Sequence, residues 1–147
     1  MKSRNPWLVA GGVLSAVASL LHVGCIVNGP GWYRLFGAPE PLIRGVENGD
    51  PTLHWVTAGI ALLLAIWSAY AFAGAGLIRR LPLMRTALVA ISAIYLARGL
   101  LILPVLVQPE PRPFDLWSSL IVLGYGVVYA VGTARAWREL SQKEALA

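Results

Sequence analysis

Acidic residues are scarce in this sequence and are missing from its long apolar stretches. The chain of 147 residues has 7 Asp and Glu residues, and none lies within the four longest apolar segments. Small four-helix multidrug exporters that are coupled to protons need a carboxylate inside the membrane, so that class fits poorly. Cys25 is the single cysteine, which excludes a disulfide within the chain and any Cys-x-x-Cys thiol oxidoreductase.

Other sequence signatures of chemistry are also missing. There is no glycine-rich phosphate loop, no nucleophile elbow and no His-Glu-x-x-His motif. The helix rich in arginine, histidine and glutamate that marks membrane glutathione transferases is absent. The net charge of +5 comes from loop residues and forms no basic face, so nucleic acid is not an expected partner.

Apolar residues dominate what is present. They make up 57 % of the chain and charged residues 13 %, against about 45–50 % and about 25 % in soluble domains. Since about 20 apolar residues span a bilayer, we predict an all-α integral membrane protein. It is expected to form one domain, a bundle of four transmembrane helices. Their ranges are about 7–27, 53–77, 84–105 and 116–134, with a lid over 28–52 and a tail over 135–147.

Basic residues predict the orientation of these helices. Eight lysines and arginines lie in the N-terminal segment, the connection between the second and third helices, and the C-terminal tail. Three lie in the other two connections. The positive-inside rule therefore predicts cytoplasmic termini and a periplasmic lid, in a multi-pass protein of the bacterial inner membrane.

Arg98 stands within the apolar run "ISAIYLARGLLILP". An arginine near the bilayer centre costs about 2.5–3.5 kcal/mol on insertion scales, and such residues normally face the bundle interior. Counting about 1.5 Å per residue, we place Arg98 roughly 5 Å and His22 roughly 7 Å to the outer side of the membrane centre, with His54 at the outer interface. A polar pocket in the outer half is the resulting prediction. Arg98 could instead extend to the headgroups and serve packing alone.

Residues three and four positions apart predict which face of each helix points inward. The expected interior stripes combine small and polar side chains: Gly11, Ser15, Ser19, His22 and Cys25 or Ile26 on the first helix; His54, Thr57, Ala58, Ala61, Ala65 and Ser68 on the second; Ser92, Tyr95, Arg98 and Ile102 on the third; Ser118, Ser119, Tyr125, Gly126, Ala130 and Ala134 on the fourth, of which the last three form a small-residue seam.

The lid "NGPGWYRLFGAPEPLIRGVENGDPT" is long for a connection. It contains two apolar clusters, one around Trp32 and Tyr33 and one around Ile43, which predict two short amphipathic turns at the outer leaflet. Because no transmembrane segment has an acidic residue, Glu47 or Asp50 of this lid is expected to supply the anion for Arg98.

Two functions of different classes follow from these residues. In the first, an accessory or transport-type protein binds membrane lipid or another small amphipathic molecule through its polar pocket, lined by Arg98, His22, Tyr95, Glu47, Asp50, His54, Trp32 and Tyr33. In the second, a membrane enzyme holds zinc with His22, His54 and a carboxylate such as Glu47. Small-residue seams also fit a homo-oligomer.

The general plan, four helices with an aromatic lid after the first and a short basic second connection, resembles the small DoxX-like bacterial membrane proteins. This resemblance covers the architecture of the whole chain. It implies no activity and no site residues.

Overall fold

The computed structural model describes residues 4–144, with side chains as far as residue 141. Every regular element in this range is a helix. The elements are α1 (Pro6–Asn28), α2 (Pro30–Leu35), α3 (Glu40–Glu47), α4 (Thr52–Gly74), α5 (Met84–Leu100), α6 (Ile102–Leu106) and α7 (Pro113–Glu144). Four stretches are long and apolar enough to cross a membrane: Pro6–Asn28, Thr52–Gly74, Met84–Leu106 and Pro113–Ser141. The predicted all-α protein with four such segments is confirmed at this level.

The third span is divided, although we predicted one helix over 84–105. Helix α5 ends at Leu100 and α6 begins at Ile102. Pro104 explains the break, because a proline has no N–H to donate and its ring clashes with the carbonyl four residues earlier, here that of Leu100.

Helix α7 continues ten residues beyond the predicted end at 134, so most of the predicted tail is helical. The added sequence, "RAWRELSQKE", consists largely of strong helix formers. At about 1.5 Å per residue the 32 residues of α7 are longer than a span across roughly 30 Å of hydrocarbon requires. Residues 145–147 lie outside the described part of the chain.

The described residues fall into two compact units. The terminal unit lies within Met1–Ser15 and Trp67–Ala147, and the loop unit is Ala16–Ile66. Each unit has its own internal contacts and is described by itself.

In the terminal unit α5 packs closely along α7. A Cβ on Gly99 would lie 2.5 Å from Leu123 Cα, and one on Gly126 would lie 2.8 Å from the Leu96 backbone nitrogen. Such contacts need residues without side chains, as is usual where membrane helices approach closely. Gly126 therefore lies in a helix–helix seam, as predicted. Ala134 of the same predicted seam is exposed.

The loop unit has a small core of its own. Cys25, Tyr33, Ile43 and Leu53 are buried together, with Trp32, Phe36, Ala38 and Val46 packed around them. The two predicted amphipathic turns are the helices α2 and α3, and each contributes one fully enclosed residue, Tyr33 and Ile43 respectively.

Glycines end both short helices by the same hydrogen-bonding pattern. Gly37 has φ +70° and Gly49 has φ +87°, conformations that residues with a Cβ rarely adopt. After α2, Ala38 N–H donates to Tyr33 O at 2.9 Å, and after α3, Asp50 N–H donates to Gly45 O at 2.8 Å. In each of these hydrogen bonds the donor lies five residues after the acceptor, which is the 6→1 bond of the Schellman motif. This motif ends each helix and explains why the lid forms two separate helices.

Candidate functional site

A chain of buried hydroxyl groups lies at the centre of the terminal unit. Ser15 Oγ is 2.8 Å from both Tyr95 OH and Tyr129 OH, and Tyr129 OH donates to Trp67 O at 3.1 Å. Since a carbonyl can only accept, the Tyr129 proton is used there, so Ser15 donates to Tyr129 and Tyr95 donates to Ser15. The hydroxyl protons of Tyr95, Ser15 and Tyr129 are therefore all donated in hydrogen bonds.

This chain involves one predicted site residue, Tyr95. Its side chain is 5 % exposed, and its ring makes edge contacts with Trp67 and Tyr125 at centroid distances of 4.8 and 5.5 Å. Tyr95 thus has a packing role. Tyr129, which is fully buried, was not predicted, since the stripe expected on the fourth helix contained Tyr125 as its only aromatic residue.

The structure places Arg98 differently from the predicted interior stripe. The buried positions of α5 run through Leu88, Ile91, Ser92 and Tyr95 to Gly99. The next buried residue after Tyr95 is therefore Gly99, four positions later, and not Arg98, three positions later. Gly99 faces inward because it packs on the α7 backbone at Leu123. Arg98 is exposed. Among the described side chains, none forms a hydrogen bond or ion pair with it.

Trp32 and Tyr33 of the predicted site belong to the core of the loop unit. The Tyr33 ring meets the His54 ring edge-on, with centroids 5.6 Å apart. Trp32 closes over Gly24, where an added Cβ would lie 2.6 Å from the indole ring. Tyr33 and His54, two residues of the predicted site, are therefore in contact in the structure. The Tyr33 hydroxyl is buried and has no partner among the described residues.

The carboxylates that we expected to face Arg98 have partners inside the loop unit. Glu47 accepts from Arg34 at 2.7 Å, and the same Arg34 nitrogen reaches Glu40 at 3.2 Å. All three side chains are exposed, so these ion pairs contribute little to stability. The grouping of Arg98 with lid carboxylates remains a prediction.

Asp50 connects the end of α3 to the start of α4. Its carboxylate accepts from Thr52 N–H at 2.9 Å and from Thr52 Oγ1 at 2.6 Å. The hydroxyl bond, followed by the amide bond, holds the pKa of Asp50 below its ordinary value, because both donors favour the charged form. Asp50 therefore serves as a helix cap.

The residues of the zinc alternative do not form a cluster. His22 Nδ1 donates to Ala18 O at 2.7 Å, which leaves Nε2 as the acceptor in the neutral ring. Within the described residues no three His, Cys, Asp or Glu side chains could hold one metal ion. His22, His54 and Glu47 thus receive no support as a ligand set.

A basic cavity is present within the terminal unit. Its volume is about 550 Å³. It is formed by the start of α1, the end of α4 with the residues that follow, and the last third of α7. The lining side chains include three arginines and one glutamate: Arg4, Asn5, Pro6, Ala73, Gly74, Ala75, Gly76, Ile78, Arg80, Arg135, Ala136 and Glu139.

Local contacts fix the walls of this basic cavity. Asn5 Oδ1 accepts from Trp7 N–H at 3.2 Å and so caps α1, while Asn5 Nδ2 donates to Gly132 O at 2.8 Å on α7. The Arg135 guanidinium lies 5.4 Å from the centre of the Trp7 ring, a cation–π distance. A second groove, of about 410 Å³, is lined by another arginine and tryptophan, Arg85 and Trp137. The central carbon of the Arg85 guanidinium lies 4.2 Å from the centre of the Trp137 ring.

Sequence reasoning used these arginines for orientation and did not recognise a site there. One local signal was available, since Asn5 before Pro6 is the usual cap and first residue of a helix. Neither family models, curated proteins nor solved structures gave a match to this chain. The class of protein that the fold defines is an all-helical protein with four candidate membrane spans.

Proposed function

We propose that this protein binds an anionic amphipathic molecule, whose phosphate-bearing headgroup occupies the basic cavity. The observation that carries the proposal is the convergence of Arg4, Arg80 and Arg135 on one cavity of about 550 Å³, where Glu139 is the single acidic residue among the described lining residues. Arginine suits phosphate because its planar guanidinium donates two parallel hydrogen bonds to phosphate oxygens.

The surroundings of the cavity favour an amphipathic ligand over a soluble anion. Ala73, Ala75 and Ile78 supply apolar lining beside the arginines. The cavity also includes the first residue of the span Pro6–Asn28 and the last residues of the span Thr52–Gly74. Basic pockets between membrane helices on the cytoplasmic side are typical sites for anionic lipid headgroups. The ligand class is the one predicted from the sequence, whereas the proposed location is at the other end of the helices.

The proposal includes an orientation. We infer that both termini are cytoplasmic and that the lid over 28–52 faces the periplasm, in a bacterial inner membrane. The basic cavity would then open to the leaflet surface on which anionic lipids attract lysine and arginine, by about 1 kcal/mol for each such residue. The outer-half pocket around Arg98 and a homo-oligomeric state remain predictions.

Native mass spectrometry of the purified full chain can test the cavity. Phosphatidylglycerol and phosphatidylcholine would be offered together, with glycerol phosphate as a soluble competitor. We expect preferential retention of phosphatidylglycerol, reduced about tenfold in Arg80→Gln and in Arg135→Gln, since a hydrogen bond to a charged group contributes about 1.5–3 kcal/mol.

Arg138→Gln is the matched control. Arg138 is exposed on the same end of α7 and does not line the cavity, so its loss should change retention less than twofold. Equal effects of all three substitutions would mean a diffuse basic surface and would refute the site. Displacement of the lipid by glycerol phosphate at similar concentrations would show that the ligand is a soluble phosphate.

A further inference from the structure

The exposed surface of α5 around Arg98 is not accounted for by the basic cavity. Arg98 is exposed between Ile94 and Leu101 on the helix surface, and these two apolar side chains are 51 % and 50 % exposed. An arginine on a surface that faces lipid has no water to solvate its charge. In membrane proteins such a residue normally pairs with another charged side chain or with backbone carbonyls.

The depth of Arg98 makes the headgroups a poor partner. It lies eight residues before Leu106, the end of the span, which is about 12 Å along the helix. Helical side chains lean towards the N-terminus of their helix. For α5 that direction leads away from the nearer membrane surface and towards the middle of the span, so reaching the headgroups requires the side chain to fold back against its preferred direction.

The spans of this chain supply no anion at that depth, and the lid carboxylates Glu47 and Asp50 already accept from Arg34 and Thr52. The spans Pro6–Asn28, Thr52–Gly74 and Met84–Leu106 contain no acidic residue. In the fourth span, Pro113–Ser141, the acidic residues lie near the two ends. Asp115 in the first turn is held by Arg112 at 2.8 Å and 3.0 Å, and Glu139 lines the basic cavity. A second copy of this protein has the same composition, so it cannot provide a carboxylate near the middle of the membrane.

We infer that the Arg98 surface of α5 docks against a membrane-spanning helix of a different protein, one that carries a single Asp or Glu about one turn from its midpoint. Charge complementarity identifies this partner, since a carboxylate at that depth is as costly alone as the arginine and each satisfies the other. The flanking Ile94 and Leu101 would pack on apolar residues of the partner helix. This inference is independent of the basic cavity.

A designed helix can serve as the probe. The full-length protein and a polyleucine helix of about 20 residues would carry a fluorescent donor and acceptor in phosphatidylcholine vesicles. The helix would have one Asp, Asn or Leu one turn from its centre. We expect the Asp helix to bind at least about tenfold more tightly than the other two, because only Asp can form a charge-assisted pair with the guanidinium.

Variants at two positions separate charge from packing. Arg98→Met should abolish the preference for Asp, and Arg98→Lys should keep a smaller preference because it retains the charge without the planar pair of donors. Leu100→Met is the control and should leave the preference unchanged, because Leu100 is 51 % exposed on the same helix but lies roughly 200° around the helix from Arg98. If neither Arg98 variant folds, the comparison of the three helices with the wild-type protein still decides.

Three results would overturn the inference. Equal binding of the Asp, Asn and Leu helices would show that Arg98 selects no carboxylate. Loss of the preference when phosphatidylglycerol is added to the vesicles would show that lipid phosphate satisfies Arg98. Displacement of the Asp helix by an unlabelled second copy of the protein would assign this surface to self-association.

Discussion

Ser15→Ala should be the most informative single change in the terminal unit. Ser15 is fully buried and joins Tyr95 to Tyr129 by two hydrogen bonds of 2.8 Å. Its removal leaves the Tyr95 hydroxyl without an acceptor and the Tyr129 hydroxyl without a donor. The same change leaves a vacancy of only one oxygen atom, so lost packing is a small contribution.

The magnitude follows from the number of bonds lost. Hydrogen bonds between membrane helices contribute on average about 0.6 kcal/mol and at most about 1.7 kcal/mol each. Two of them give about 1–3 kcal/mol, a range that also covers the cost of one unsatisfied buried hydroxyl. Tyr95→Phe should cost less than Ser15→Ala, because it removes only the first donor and leaves the bond from Ser15 to Tyr129.

Equilibrium unfolding of the purified protein in detergent can measure these differences. Ser92→Ala is the control, since Ser92 is also buried but donates to Leu88 O of its own helix at 2.7 Å, and its loss should be nearly neutral. The reasoning is refuted if Ser15→Ala is no more destabilising than Ser92→Ala. A combined Ser15→Ala and Tyr95→Phe variant should be no less stable than Ser15→Ala, because the unpaired Tyr95 hydroxyl is gone.

Two further predictions concern the loop unit. Thr52→Val should raise the pKa of Asp50 towards its ordinary value, since the Thr52 hydroxyl is the main cause of its lowering; a carboxyl NMR titration that shows no change would contradict this. Because the folded pKa is lowered, the stabilisation by Asp50 is present above the unfolded pKa and is lost as the pH falls through the folded one. A cysteine introduced at Asn48, exposed after α3, should react with an impermeant thiol reagent from the periplasmic side, and labelling from the cytoplasmic side alone would reverse the proposed orientation.

The candidate site could be predicted from the sequence only in part. Tyr33 and His54 were assigned to one site because both flank the same membrane surface on neighbouring segments, and in the structure their ring centroids are 5.6 Å apart. On α5 the sequence predicted that Arg98 faces the interior, whereas Gly99 is the buried residue. A spacing of three or four residues after Tyr95 fits either position, so it could not decide which of the two faces inward. That choice depended on Leu123 of α7, whose backbone allows no side chain at its contact with residue 99.

Length and composition by themselves determined the class of this protein, because an apolar stretch of about 20 residues has few alternatives to crossing a membrane. Glycine and proline determined where local elements end, since Gly37, Gly49 and Pro104 act through their own backbone geometry. Which polar groups meet was decided only by tertiary structure. Hydrogen bonds such as that of Ser15 with Tyr129 join residues 114 positions apart, and no local pattern contains the packing that sets their distance.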